Sequence, residues 1–159
     1  MADTLEQRLE RLEGAEAIRN LIAAYGPLAD SGDAGGVAAL WIEDGTYEVG
    51  GFGTAQGRDE IASLLRSDTH SDLMRQGCAH ILSEPHIVLD ADRAIATNHS
   101  VVFRRDGGMF EPWRVSANRW ELVRSGTAWL IERRVNAPLT GDQAARGLLG
   151  MVYAKEPIS

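Results

Sequence analysis

The chain has 159 residues, 44% hydrophobic and 25% charged, with a formal net charge of −7, a profile that fits one compact domain rather than two domains or a disordered tail. An acidic chain whose fifteen arginines are scattered from Arg8 to Arg146 repels phosphate backbones, so nucleic acid is excluded as a partner. A single cysteine, Cys78, rules out a disulfide framework and a thiolate zinc site, and no run of about 18 apolar residues is present to span a membrane.

In chain order, Thr4 with Gln7 three residues later reads as a capping box. Leu5, Leu9, Leu12, Ala15, Ile18, Leu21, Ile22 and Tyr25 follow at three- and four-residue steps, which predicts a long amphipathic helix. Pro27 and the polar stretch Asp30, Ser31, Gly32, Asp33 are expected to break it, leaving Asp30 in the junction. Asp33 then caps a second, shorter helix ending near Trp41 and Ile42. From Thr46 to Val49 the pattern is strand-like, and the glycines at 50, 51 and 53 turn a hairpin through Phe52 and Thr54. Gly57 and Asp59 open a third helix with Ile61, Leu64 and Leu65 on one face, and Ser67 to Gly77 reads as a polar, irregular loop.

The second half is β-rich, with strands predicted at His80–Leu82, His86–Leu89, Ala94–Arg104, Trp113–Val123 and Trp129–Val135. The turns between them are short, so an antiparallel meander is expected. Helices first and strands afterwards give an α+β fold with the helices on one face of a curved sheet. Residues 138–159 form a tail with a short helix through Ala144, Ala145, Leu148 and Leu149, followed by Met151, Val152 and Tyr153, and read as a tail or lid of a single domain covering 1–159. The start MADTLEQRLE has no basic-then-apolar leader, which predicts a cytoplasmic protein.

Several chemistries are excluded by residue type and spacing. The one lysine, Lys155, stands near the terminus, where neither a Schiff base nor a phosphate-cradling loop is expected. His70, His80, His86 and His99 include no pair at metal-ligand spacing, so no metal is predicted. Cys78 lies two residues from His80, which on a strand places them on one face without bonding them, so a thiol nucleophile is not expected. In an arbitrary chain Asp30 would be a turn residue and His80 a hydrogen-bonded structural one.

The runs EAIRNLIAAYGPLADSGD, VAALWIEDGTYEV, the GRDEI helix start, HILSEPHIVLDADRAIATNHSVVF and NRWELVRSGTAWLIERRV together resemble the SnoaL-like family of the NTF2-like superfamily. The resemblance implies a cone: a curved antiparallel sheet wrapped around the long N-terminal helix and enclosing an apolar pocket. It also carries catalytic roles onto three positions. Asp30 falls where the family's dehydratases keep an aspartate, His80 where they keep a histidine, and Tyr25 where the bile-acid dehydratase keeps a tyrosine. The strand position that supplies a further acid or histidine in some dehydratases falls near Arg105, so no third group is carried over.

An aspartate on the second nitrogen of an imidazole fixes its tautomer and stabilises the imidazolium as it forms. His80 is then the base, Tyr25 the donor to the substrate oxygen, and no metal or organic cofactor is called for. Trp41, Tyr47, Phe52, His99, Phe103, Asn118 and Trp120 are the expected pocket residues. The expected activity is that of a cofactor-independent lyase or isomerase acting on an apolar, aromatic or steroid-like small molecule. The alternative is a noncatalytic binding or assembly module, including one like the β subunit of a ring-hydroxylating dioxygenase. Self-association as a dimer or trimer is expected, with the apolar tail closing its own pocket or a neighbour's.

Overall fold

A computed structural model describes residues 3–153. Helix α1 (Leu5–Asp30) begins on the expected capping box, with the Thr4 hydroxyl accepting from the Gln7 N–H and the Gln7 side chain accepting from the Thr4 N–H. Pro27 does not end it. The ring removes one donor, but the Pro27 carbonyl still accepts from the Ser31 N–H at 3.0 Å, so the ladder resumes. The stop comes at Gly32, whose φ of 78° a residue with a Cβ rarely adopts. There the Gly32 N–H bonds the Ala29 carbonyl and the Asp33 N–H reaches back to that of Leu28, the paired bonds of a Schellman turn. Asp30 is therefore the last residue of a rigid helix and not part of a loose junction.

Helix α2 (Ala34–Ala38) is capped by Asp33 as expected but is shorter than predicted, and Trp41 opens strand β1 (Trp41–Val49) instead of closing the helix. Gly35 and Gly36 are poor helix formers, and pairing of Trp41 with Ile131 extends the strand. Strand β2 (Gly53–Gln56) and helix α3 (Gly57–Leu65) match the predicted hairpin and third helix. The stretch expected to be an irregular loop is instead helix α4 (Asp68–Gln76), started by the Ser67 hydroxyl accepting from the His70 N–H. Strands β3 (Cys78–Leu82), β4 (His86–Asp90), β5 (Arg93–Asp106), β6 (Met109–Ser125) and β7 (Ala128–Pro138), then helix α5 (Gln143–Gly150), complete the described chain.

The seven strands form one sheet in the order β2-β1-β7-β6-β5-β3, with β4 also paired to β5. The β5-β6-β7 meander is antiparallel as expected, but β1 runs parallel to β7. The long chain between β1 and β7 supplies the crossover that a parallel pair requires. Strand register sets Ala96 and Asn98 of β5 opposite Trp120 and Asn118 of β6, which lie in turn opposite Arg134 and Asn136 of β7. These residues share the sheet face that meets α1.

On that face Ile18, Ile22, Tyr25 and Ala29 of α1 pack with Trp41, Trp120, Leu122, Trp129 and Ile131. Full burial of Ile18 and Ile22 stabilises the fold by about 1.5–3 kcal/mol each. The apolar stripe of α1 is only partly used, since Leu5, Leu9 and Leu12 are exposed where the helix runs beyond this core. Helix α5 packs on the opposite face, where Ala145 and Leu148 join Ala117 and Val135, with Leu149 and Met151 against them. Leu148 and Met151 thus buttress the outside of the sheet and do not cover this chain's own pocket. Positions 154–159, including Lys155, lie outside the described residues. Among the described residues no helix is long and apolar enough to cross a membrane.

Candidate functional site

Asp30, fixed at the end of α1, and His80, in the middle of β3, meet by their side chains. Asp30 Oδ1 lies 2.6 Å from His80 Nδ1, and Asp30 Oδ2 accepts from the His80 backbone N–H at 2.8 Å. A carboxylate can only accept, so Nδ1 carries the proton and Nε2 is the basic nitrogen of the neutral ring. Burial alone would raise the Asp30 pKa. The bonds from the His80 ring and backbone, the imidazolium charge and the Cys78 thiol outweigh it and hold the carboxyl below its ordinary value.

This shift predicts a pH dependence of stability. A carboxyl whose pKa is lower in the folded chain contributes stability that is complete above its unfolded pKa and lost as pH falls through the native one. Asp30→Asn should therefore show a smaller drop in melting temperature between neutral pH and about pH 3 than the parent chain, below the usual aspartate pKa of about 3.9. Equal drops in parallel thermal melts would refute the coupling.

A backbone contact sets this meeting. A Cβ on Gly26 would overlap the His80 carbonyl oxygen, so α1 and β3 touch there through glycine alone. Gly26→Ala should push the strand away and cost about 1–3 kcal/mol of stability. An unchanged denaturant midpoint would show that the two backbones are not held in contact.

Cys78 also reaches the carboxylate, its Sγ lying 3.6 Å from Asp30 Oδ1. Among the described residues Asp30, Cys78 and His80 are the one group with donor atoms close enough to share a metal ion. The group is internally bonded, and burial followed by the Asp30 charge pushes the thiol pKa up to about 11, which disfavours a free thiolate nucleophile.

His80 borders a cavity of about 330 Å³, within the size range of small-molecule sites. Tyr25, Tyr47 and Phe52, all expected there, line it, together with Leu64, Leu65 and Leu73 from α3 and α4 and Leu82 and Val102 from the sheet. The other expected wall residues lie elsewhere. Trp41, Asn118 and Trp120 are buried behind the lining, and Phe103 does not border the cavity. His99 is exposed, with its backbone N–H on the Ser83 hydroxyl. Its position follows from strand parity, since Asn98 and Ser100 point inward and their neighbour must point out.

Three ionisable lining residues, Arg134, His70 and Arg114, are not among the expected site residues. Arg134 is 1% exposed, and its guanidinium carbon lies 4.0 Å from the Trp120 ring centroid, 4.1 Å from that of Tyr25 and 4.6 Å from that of Tyr47. Nε and Nη2 donate to Asn118 Oδ1, while the buried Nη1 has no hydrogen-bond partner among the described residues. The signal in the sequence is the charged run Glu132-Arg133-Arg134 inside a strand that starts as the apolar Ala128-Trp129-Leu130-Ile131. A bulge between Glu121 and Leu122 makes it impossible to tell from alternation which arginine turns inward. His70 donates Nε2–H to the Ala29 carbonyl at 3.0 Å, with its ring 5.5 Å from that of His80. Burial lowers its pKa against the pull of that bond. Arg114 is the third.

Tyr25 connects the two ends of the site. Its ring stands edge-on to His80 at 6.3 Å, its face carries Arg134, and its hydroxyl is 3.4 Å from that of Tyr47. Burial raises the Tyr47 pKa far above the usual phenol range, with Arg134 opposing and Tyr25 adding to the rise, so Tyr47 remains a protonated donor. The site thus pairs a carboxylate-oriented imidazole with a buried cation and two phenols. That arrangement can remove a proton from a bound molecule and hold the charge left behind.

The profile of the SnoaL-like domain family matches residues 10–135. The chain is similar to an NTF2-like protein with a cystatin-like fold from Novosphingobium aromaticivorans, with 51% identity over 94% of this chain and 99% of that one and a TM-score of 0.89. It shares its fold, at 22% identity and a TM-score of 0.71, with a protein of unknown function from Mycobacterium tuberculosis, over 94% of this chain and 89% of that one. A candidate scytalone dehydratase from Novosphingobium aromaticivorans has the same fold at 20% identity and a TM-score of 0.70, over 82% of this chain and 87% of that one. No curated protein matches the sequence.

Proposed function

The chain belongs to the SnoaL-like domain family and has the NTF2-like fold, and from that premise we propose that it is a cofactor-independent lyase or isomerase acting on an oxygenated cyclic small molecule. The observation that carries this reading is the 2.6 Å contact between Asp30 and the ring of His80 at the wall of a largely apolar cavity. Nε2 of His80 takes a proton from a carbon next to a carbonyl, and the carboxylate of Asp30 stabilises the imidazolium that results. The electron pair of the broken C–H bond moves onto the carbonyl oxygen as an enolate. The Tyr25–Tyr47 hydroxyls are the donors suited to that oxygen, and the Arg134 guanidinium stacked against both rings supplies positive charge behind them. In an elimination the enolate expels hydroxide from the next carbon, which leaves as water with the proton from His80. In an isomerisation the same proton returns to a different carbon.

Neither route involves a net oxidation or reduction, so the cycle closes without an oxidant. The scytalone dehydratase likeness agrees with an elimination but extends to the fold alone. The test is a panel of cyclic ketones and β-hydroxyketones incubated with the protein in deuterated water, followed by NMR for α-hydrogen exchange and by absorbance for enone formation. Protein-dependent exchange or elimination supports the reading. Ligands that bind yet neither exchange nor eliminate would reject it and leave a binding module.

A further inference from the structure

The cavity holds two arginines, Arg114 and Arg134, and no Asp or Glu among its lining residues. Neither arginine forms an ion pair with a described residue, and the nearby Asp30 is already engaged by His80 and Cys78. Elsewhere the fold does match arginine with carboxylate: Arg133, the neighbour of Arg134 on the other face, pairs with Glu48 at 3.4 Å. The cavity therefore presents uncompensated positive charge, and a neutral guest would leave it so.

The two cations are held differently. Arg134 is packed against three rings and is assigned above to the oxygen that gains charge during reaction. Arg114 is only partly buried, beside the half-exposed Phe52, whose ring lies 5.5 Å from its guanidinium carbon. Its Nη2 donates to the Gly50 carbonyl at 2.8 Å and to Asn136 Oδ1 at 2.7 Å, and Nε donates to the same Asn136 oxygen at 3.2 Å. All these acceptors are neutral. They clamp the guanidinium without cancelling its charge, and Nη1 takes part in none of these bonds.

We infer that Arg114 is a recognition site for a carboxylate carried by the substrate, so that the natural ligand is a cyclic carboxylic acid whose acid group sits beside Phe52 while its reacting oxygen lies toward Arg134. The inference rests on the proposed reaction for the second half of that orientation; the first half depends only on the charges of the cavity. One available guanidinium nitrogen suits a singly charged, planar acid group better than a doubly charged phosphate, which would demand more donors.

Binding tests it apart from turnover. Benzoate and 2-naphthoate are titrated by calorimetry against benzamide and 2-naphthamide, which match them in shape and lack the charge. Each carboxylate should bind about 10- to 100-fold tighter than its amide, the range of a charge-assisted bond. Arg114→Gln should erase the difference, and Arg114→Lys, which keeps the charge without the fork, should retain part of it. Thermal melts establish that both variants are folded, and the parent-chain comparison needs neither of them. Equal binding of acid and amide by the parent chain, binding of neither, or a preference that survives in Arg114→Gln would overturn the inference. A carboxylate preference that persists while no panel compound reacts would uphold it and sink only the proposed reaction.

Discussion

His80→Ala and Asp30→Asn should each lower turnover by roughly 10² to 10⁴-fold, the contribution of a positioned general base, and the double variant should be little worse than either alone. Removing the imidazole removes the base. Removing the charge of Asp30 leaves a ring that no longer gains stability on becoming an imidazolium. Asparagine is also a poor geometric substitute here, because Asp30 accepts from both Nδ1–H and the backbone N–H of His80, and an amide offers one oxygen and one donor in their place. Groups that act as a unit lose their effect together, so strong non-additivity is the signature. Steady-state rates for the three variants on any panel compound that reacts provide the measurement. Full turnover in either single variant would end the assignment.

Arg134→Met should lower kcat by roughly 10² to 10³-fold, the cost of losing a positive charge that stabilises a developing oxyanion, while leaving the melting temperature close to that of the parent. Two stability effects oppose each other. The substitution forfeits stacking against three rings, worth about 0.5–2 kcal/mol each, and relieves the burial of a charge, which costs several kcal/mol. The freed oxygen of Asn118 is not orphaned, because Asn136 Nδ2 still donates to it at 2.9 Å. A purely structural arginine would behave in the opposite way, with the melting temperature falling sharply and activity lost only with the folded fraction. Circular dichroism melts alongside kcat distinguish the two.

Where a conformational choice is local, the residues around it decide it. The Thr4 capping box, the Asp33 cap, the glycine-rich hairpin and the short turns of the antiparallel meander depend on residues close in sequence, and all appear in the structure. The errors have a common cause in longer-range terms. Pro27 and the polar stretch after it predict a stop that comes only at the Ser31 cap and Gly32, four and five residues beyond the proline, because one missing donor costs less than the burial of Ala29 and the anchoring of Asp30 return. The segment 67–77 looks too polar for a helix until α4 is seen with one face on the cavity and His70 bonded to the end of α1.

The sequence by itself determined the α+β class, the order of the elements apart from α4 and, through resemblance, the pairing of Asp30 with His80 across fifty positions. It also determined the chain's acidity and its single lysine, both of which are sums over residues and need no coordinates. Only the tertiary structure decided which side chains face the cavity. Side-chain direction along a strand alternates residue by residue, and the bulges between Glu121 and Leu122 and between Val102 and Phe103 each reset that alternation. For that reason His99 turned out to lie outside and Arg134 inside, and the positive charge of the pocket became visible only once the sheet had closed around it.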